Sequence, residues 1–387
     1  MRLYLDHNAT TPVRAEVLET CTRVLRDCFG NPSSTHSDGA GARRELDRAR
    51  DEVAALIGAS PAEILFTGGA TESNHLALHG VAGVAGRPVA HGPDLHVVSS
   101  TAEHPSVLEP LLALQRIGVR VTHVGVDSDG LLDPAAITDA LQPGTALLSI
   151  LWANNETGVV QPLRELANLA RARGVLVHVD ATQALGKLPV RVDELPIDLL
   201  SASAHKLNGP KGTGFLFVRR GVALEPWLRG GPQERKRRGG TENVAGIAGL
   251  GTACALARDE LAERAQTTAR LRDRLWDGLH AKVAGVARNG SAEHVLPNTL
   301  NVSFDAVRGD VLQAALDLEG VSVSTGAACA SGSTVASHVL LAMGLPAERA
   351  RAALRFSVGY GVDEAQIDHV LTLLPDLVAR VRAEALG

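Results

Sequence analysis

Five short aliphatic runs, each ending in small or polar residues, recur between residues 64 and 202 of this chain. Runs of roughly four to eight such residues predict strands that are covered on both faces, as in a mostly parallel sheet. Helical patterns separate the runs, and one of them, residues 162–173, carries leucines on one stripe and ends at Gly174. This alternation predicts an α/β layered domain. Together with a further strand at 214–218, the predicted strands cover residues 64–67, 95–99, 146–151, 175–179 and 198–202.

The pattern changes near residue 256, where a long helix rich in Ala, Leu and Arg is predicted to run to about residue 281. Shorter strands and helices follow, which predicts a second, smaller α+β domain. We therefore expect a large domain over residues 15–255, a small C-terminal domain over 256–387, and an N-terminal segment, 1–14, that packs with the small domain. The later predicted elements are strands at 298–304, 321–324 and 354–358, and helices at 309–318 and from 363.

Composition excludes several classes of function. The net charge is −5, and the one basic run, residues 235–238, has no interleaved aromatic residues, so we expect no direct nucleic-acid partner. The four cysteines show no metal-site spacing, which predicts free thiols in a reducing compartment and no metal. The N-terminus lacks a signal-peptide pattern, and no apolar run approaches the roughly 20 residues of a membrane helix. We expect a cytoplasmic protein without a membrane partner.

Ligands of open α/β sheets bind beyond the carboxyl ends of the strands, so the residues that follow each strand are informative. Two glycines at 68–69 precede a helix, which predicts either a phosphate-binding loop or a plain capped turn. Asp180 directly follows a buried strand, where a carboxylate needs a cation or several hydrogen-bond donors. A pyridinium nitrogen would be such a cation. An N-cap for the next helix is the alternative.

Three further positions carry candidate catalytic side chains. Lys206 stands at a strand exit beside serine and histidine, which favours a covalent cofactor link over a solvated lysine. His104 follows another strand and is either an acid–base group or a structural histidine. Cys329 lies in a loop of small residues, where it is either a reactive thiol or an incidental loop cysteine. Cys21, Cys28 and Cys254 lie in helical or helix-flanking patterns and are interpreted as small apolar side chains that fill the core. A phosphate loop, a strand-end Asp and a strand-end Lys together are the parts that pyridoxal 5'-phosphate (PLP) requires.

The whole set of motifs resembles the NifS/IscS-type cysteine desulfurases, which belong to the fold-type I, class V aminotransferase-like enzymes. The resemblance covers nearly the whole chain. It implies a seven-stranded, mostly parallel sheet in the large domain, a smaller α+β domain that carries the Cys329 loop, and a homodimer. The matching stretches are residues 4–12, 30–34, 69–74, 103–104, 154–158, 178–183, 201–206, 238–243 and 354–357.

The resemblance also implies roles for individual residues. Lys206 would hold PLP and move the substrate Cα proton, and Asp180 would pair with the pyridine nitrogen. His104 would stack on the ring and, as a catalytic residue, protonate intermediates. Cys329 would take the sulfur of L-cysteine as a persulfide and leave L-alanine, while Arg355 would pair with the substrate carboxylate. The remaining implied contacts are Gln183 and Asn155 at the phenolic oxygen, Asn155 and Asn8 at the substrate, Ala70, Thr71, Ser203 and His205 at the phosphate, and Thr241 at the phosphate of the other subunit.

Several alternatives stay open. The implied acceptor of the sulfur is an iron–sulfur scaffold or a tRNA-thiolation protein, and residues 334–336 depart from the acidic residue and proline that relatives often carry there. A selenocysteine lyase or an aminotransferase would share the lysine-bound cofactor, and an aminotransferase would not need Cys329. A non-catalytic scaffold that keeps the fold would bind no PLP.

Overall fold

The computed structural model describes residues 2–85, 95–325 and 336–385. Its strands form three sheets, and the largest has seven strands in the order β2-β8-β7-β6-β5-β3-β4. The strands are β1 (Leu3–Tyr4), β2 (Ile64–Thr67), β3 (His96–Ser100), β4 (Arg120–Val124), β5 (Thr145–Leu151), β6 (Leu176–Asp180), β7 (Leu199–Ser203), β8 (Gly214–Val218), β9 (Val286–Arg288), β10 (Thr299–Phe304), β11 (Val321–Ser322), β12 (Ser324–Thr325) and β13 (Ala353–Ser357).

Helices cover both faces of the large sheet and flank the smaller ones. The first turn of several helices carries its own cap; for example, the Asn243 side chain accepts a hydrogen bond from the Gly246 amide. The helices are α1 (Ala15–Asp27), α2 (Ser37–Ile57), α3 (Ala70–Ala85), α4 (Pro105–Arg116), α5 (Pro134–Ala140), α6 (Leu163–Arg171), α7 (Val244–Asp259), α8 (Leu261–Lys282), α9 (Gly309–Leu318), α10 (His338–Ala342), α11 (Ala347–Arg351) and α12 (Glu364–Ala385). Within the described residues, none of them is long and apolar enough to cross a membrane.

The seven-stranded sheet confirms the predicted mostly parallel architecture. β3, β4, β5, β6 and β7 pair in parallel, and only β8 runs antiparallel to its neighbours β7 and β2. The buried strands are apolar on both faces because helices cover both sides of the sheet. The carboxyl ends of the parallel strands therefore all lie along the same side of the sheet. Helices carry the chain back to the side where the next strand begins.

Two predicted elements are corrected by the structure. The helix predicted from residue 256 is interrupted, since α7 ends at Asp259 and α8 begins at Leu261. The strand predicted over 321–324 is two short strands, β11 and β12, that pair in different sheets. Three strands, β1, β4 and β9, were not predicted from the sequence. β4, for example, lies at an edge of the large sheet, and most of its residues keep some solvent exposure.

The N-terminal segment connects the two parts of the chain. β1 pairs with β11 in a parallel two-stranded sheet, and Leu3 and Leu5 share an apolar core with α8, α12 and the four-stranded sheet β12-β13-β10-β9. Residues 8–11 then cross to the large sheet, where the Thr11 amide donates to the His205 carbonyl. The domain boundaries at residues 14 and 255 stay a prediction.

A buried ion pair holds the segment that follows β8. Glu234 accepts hydrogen bonds from both terminal nitrogens of Arg50, at 2.7 and 3.1 Å, and from the Phe66 amide at 3.0 Å. Glu234, Arg235 and Lys236 all have positive φ, between 42° and 64°, which is unfavourable for residues with a Cβ. The ion pair therefore stabilises a strained turn against the end of β2.

We expect Glu234→Gln to lower the free energy of unfolding by about 3 kcal/mol, because Arg50 would keep a buried charge without its partner. Urea unfolding measures this loss. The matched control is Glu52→Gln, which breaks the partly exposed Glu52–Arg258 pair and should change stability by less than about 1 kcal/mol. Equal losses in the two variants would contradict the role assigned to the buried pair.

Candidate active site

A cavity of about 860 Å³ opens where the parallel strands of the large sheet end. Residues that follow β2, β3, β5, β6 and β7 line it, together with the N-terminal segment, residues 336–338 and Arg355 of β13. Such a position is where open α/β sheets bind ligands. The sequence-predicted residues that line this cavity are Asn8, Ala70, Thr71, His104, Asn155, Asp180, Gln183, Ser203, His205, Lys206 and Arg355.

Lys206 lies in a short 3-10 turn, Ala204–Lys206, directly after β7. Its amine donates hydrogen bonds to the backbone carbonyls of Asn8 and Ala9, the latter at 2.7 Å. The lysine is therefore half-buried against the N-terminal segment instead of extending into solvent. An amine held by neutral carbonyls in a cavity is placed to react with a bound carbonyl compound.

Asp180, the last residue of β6, is 2% exposed. Its carboxylate accepts hydrogen bonds from Asn74 Nδ2 at 2.8 Å and from the Thr182 amide at 2.9 Å, and within the described residues it forms no ion pair. A buried carboxylate with only two neutral donors leaves acceptor capacity facing the cavity. It is thus suited to a cationic ring nitrogen.

A chain of hydrogen bonds runs from Asp180 to His104. Asn74 Nδ2 donates both to Asp180 and, at 2.9 Å, to Ser106 Oγ, whose hydroxyl lies 2.8 Å from His104 Nδ1. The Ser106 amide also donates to His104 Nδ1, so this nitrogen is an acceptor and the neutral ring carries its proton on Nε2. Burial lowers the pKa of His104, whereas the nearby Asp180 charge acts in the opposite direction. His104 is therefore held as a neutral ring at the cavity wall.

The loop between β2 and α3 is shaped for an anion. Gly69 has φ +143°, a conformation that residues with a side chain rarely adopt, and a Cβ there would meet only Ser203 Oγ, at 3.7 Å. Ala70 and Thr71 begin α3, and the first amides of a helix have no acceptor within it. Burial, together with the charges of two nearby lysines, lowers the pKa of His205 to about 4, so its ring is neutral.

The opposite end of the cavity is built around Arg355, which is 2% exposed. Its guanidinium donates to Asp6 Oδ1 at 2.6 Å and to the Asn155 carbonyl at 2.8 Å, and its Nε is buried without a partner in the described part of the chain. The Asn8 side chain donates to the same Asn155 carbonyl at 3.2 Å and to Thr299 Oγ1 at 2.8 Å. This end therefore offers a fixed, incompletely satisfied cation for a carboxylate.

One predicted site residue lies elsewhere, and another falls outside the described residues. Thr241 is exposed and does not line the cavity of its own chain. Cys329 lies outside the described residues. The basic run is not a single patch, because Arg235 donates to the Ile64 carbonyl at 3.0 Å and Arg238 pairs with Glu72 at 2.8 Å.

Sequence reasoning missed three residues that support the site. Asn74 belongs to a motif that matches the family, but the sequence analysis assigned it no role. In the structure its side chain donates hydrogen bonds to both Asp180 and Ser106. Asp6 was likewise matched and unassigned, although it pairs with Arg355. Lys187 gave no signal, because it follows no strand, yet its amine lies 2.6 Å from Gln183 Oε1.

Comparisons with known proteins identify the family of this chain. The family model described as aminotransferase class-V matches residues 3–370. The cysteine desulfurase IscS of Dictyoglomus turgidum is 42% identical over 380 residues, which cover 98% of this chain and 95% of that protein. The chain belongs to the cysteine desulfurase family. Enzymes of this family are PLP-dependent.

Solved structures of related proteins share the cysteine desulfurase fold. A protein described as NifS-like has a TM-score of 0.92 at 38% identity, and the match covers 98% of this chain and all of that one. A structure described as SspA in complex with cysteine has a TM-score of 0.82 at 35% identity, covering 93% of this chain and 99% of that one. The fold and the predicted family are thereby confirmed.

The residues around the cavity fit PLP. The buried carboxylate of Asp180, which has no ion-pair partner among the described residues, suits the pyridinium nitrogen, and the open glycine loop at residues 68–69 suits the phosphate. The amine of Lys206 opens to the same cavity. The role of each residue stays a prediction.

Beneath the site, Glu103 is fully buried next to His104. Its Oε1 accepts hydrogen bonds from Ser100 Oγ at 2.6 Å and from the Leu151 amide at 3.0 Å, while its Oε2 has no partner among the described residues. Burial raises the pKa of Glu103 to about 8, and the charge of Asp180 acts in the same direction. Glu103 is therefore protonated at neutral pH.

This pKa predicts a pH-dependent stability. Because the folded state keeps a proton that the unfolded chain releases above about pH 4.5, stability falls as the pH rises from there to about 8. Glu103→Gln removes the titration, so its unfolding free energy relative to that of the unmodified protein should be about 3 kcal/mol higher at pH 8 than at pH 5.5. Urea unfolding at both values measures this, with Glu109→Gln, an exposed carboxylate on α4, as control. Parallel pH curves for the protein and Glu103→Gln would contradict the prediction.

Proposed function

We propose that this protein is a PLP-dependent cysteine desulfurase, which converts L-cysteine to L-alanine and transfers the sulfur to Cys329 as a persulfide. The observation that carries the proposal is the convergence of Lys206, Asp180 and Arg355 on one cavity in a chain of this family. The persulfide sulfur then passes to an acceptor protein, either an iron–sulfur scaffold or a tRNA-thiolation protein.

Each end of the cavity has a separate task in this proposal. Bound PLP supplies the electron sink that stabilises negative charge at the substrate Cα. Arg355 binds the substrate carboxylate with its fork of donors, and Lys206 moves the Cα proton. His104, whose neutral ring carries its proton on Nε2, would stack on the cofactor ring and keep water from that face. Asp180 keeps the ring nitrogen protonated, since a buried carboxylate stabilises the adjacent cation.

Sulfur transfer requires a thiolate nucleophile. The Cys329 thiolate attacks the substrate sulfur, forming a sulfur–sulfur bond as the bond between sulfur and Cβ breaks. The electron pair of the broken bond stays on Cβ, which takes up a proton. The two sulfurs are oxidised by two electrons and the carbon is reduced by two, so the step needs no external oxidant.

The proposal includes a homodimer in the cytoplasm. Thr241 is exposed and outside its own cavity, as a residue that serves the other subunit would be. Trp227 and Leu228, which lie between β8 and Thr241 along the chain, are 54% and 45% exposed and form an adjacent apolar pair that a second subunit would cover. We also keep residues 1–14, 15–255 and 256–387 as the proposed structural units.

Incubation with L-cysteine tests the activity directly. We expect purified protein to show PLP absorbance, to release alanine, and to carry one added sulfur on Cys329 by peptide mass spectrometry. Cys329→Ser should keep the absorbance but lower alanine release by at least about a hundredfold, because the sulfur has no thiolate to attack it. Lys206→Ala should lose the borohydride-reducible link to PLP.

The controls separate the alternatives. Cys21→Ser changes a thiol outside the cavity, and its alanine release should match that of the unmodified protein. Unchanged turnover in Cys329→Ser would favour an aminotransferase or another lyase. A protein without PLP absorbance would favour a non-catalytic scaffold.

A hybrid dimer tests the role of Thr241. Thr241→Val alone should weaken PLP binding about tenfold, because one hydrogen bond to the phosphate is lost. In a hybrid of Thr241→Val and Lys206→Ala chains, one site combines an intact Lys206 with an intact Thr241 and should bind PLP as tightly as the unmodified protein. Titration of tagged, purified hybrids measures the affinity. Weak binding by every hybrid site would place Thr241 in the cavity of its own chain.

A further inference from the structure

A second lysine, Lys187, lies behind the wall of the cavity. It follows Gln183 by four residues, in a tight turn where Gly186 has φ +74° and the Lys187 amide donates to the Ala184 carbonyl at 3.1 Å. The residue keeps partial solvent exposure, but its amine is buried. It does not line the cavity itself.

The amine of Lys187 contacts two side-chain amides that do line the cavity. It donates to Gln183 Oε1 at 2.6 Å and to Asn8 Oδ1 at 3.4 Å. Asn8 Oδ1 also accepts from Asn298 Nδ2 at 3.1 Å. Asn8 Oδ1 therefore accepts from two donors, Lys187 and Asn298. Gln183 Oε1 accepts one short hydrogen bond, from Lys187.

These contacts determine which way the Gln183 amide points. Its Nε2 donates at 2.9 Å to the Asn8 backbone carbonyl, which can only accept, while its Oε1 faces the Lys187 amine, which donates. A flipped amide would place its nitrogen against the Lys187 donor and its oxygen against a carbonyl. The same Asn8 carbonyl also accepts from the Lys206 amine. Lys187, Gln183, Asn8 and Lys206 therefore form one continuous network.

The charge around Lys187 fits this role. Within the described residues it forms no ion pair, and the charged groups that act on it are the cations Lys206 and Arg355. Burial lowers its pKa well below the usual range, and these two charges act in the same direction. The amine has two hydrogen-bond acceptors, Gln183 Oε1 and Asn8 Oδ1, and both are neutral amide oxygens. A salt-bridging lysine would need a carboxylate instead.

We infer that Lys187 is a positioning residue, whose amine fixes the side-chain amides of Gln183 and Asn8 so that the Gln183 nitrogen is directed toward the cofactor and the Asn8 carbonyl. The inference rests on the proposed function, because it is the bound PLP that Gln183 would serve. It adds a residue outside the cavity to the groups that set the environment of the cofactor oxygen.

The first test measures the bound cofactor. In Lys187→Met, the pH midpoint of the PLP absorbance band should shift upward by at least about half a unit, since a donor near the phenolic oxygen competes for the cofactor proton and its loss removes that competition. Lys282→Met, which removes a lysine whose amine donates to the Leu371 carbonyl, should leave the midpoint unchanged. In a Gln183→Met background, Lys187→Met should shift the midpoint by less than about 0.2 unit. The same shift in both backgrounds would overturn the inference.

The second test uses protein without PLP and does not depend on Lys187→Met being folded. Gln183→Glu places a carboxylate against the Lys187 amine and should raise the pH midpoint of Lys187 acetylation by about one unit or more, so that labelling near pH 8 slows about tenfold. Peptide mass spectrometry after short pulses of acetic anhydride measures this, with Lys282 as the internal reference. An unchanged Lys187 profile would overturn the contact. Failure of the unmodified protein to bind PLP would instead contradict the proposed function, and this test would still decide the contact.

Discussion

The carboxylate of Asp180 is buried at the end of β6 with two neutral donors and no counter-ion in the described chain, and the site is organised around that fact. A charge in such a place is stable only where donors are fixed and a cation can reach it. Asn74 supplies one donor and, through Ser106, also sets the tautomer of His104. Asp180 is thus linked through Asn74 and Ser106 to the orientation of the His104 ring.

The second organising element is the N-terminal segment. Asn8 lies in none of the three sheets, yet its backbone carbonyl accepts from Lys206 and Gln183, and its side chain donates to Thr299 and to the Asn155 carbonyl. These contacts join the large sheet to the strand β10 of the four-stranded sheet. Substitutions in this segment would therefore alter the cofactor lysine and the substrate-binding end together.

Much of the site could be predicted because the ends of buried strands can be recognised in a sequence. Asp180 and Lys206 directly follow aliphatic runs, and parallel strands bring their carboxyl ends to one edge, so adjacency follows from topology. Lys187 and Asn74 could not be assigned in this way. Lys187 follows a turn and acts through two amides, and Asn74 lies inside a helix, where only packing decides which residue it meets.

The sequence alone determined the alternation of strands and helices, the residues at the strand ends and the family, because periodicity and local motifs are properties of the chain itself. Only the tertiary structure decided that Arg355 is paired with Asp6, that Glu103 is buried with an unpartnered oxygen, and that Lys187 meets Gln183. These contacts, and the pKa values that follow from burial, depend on how distant segments pack, and no local pattern encodes them.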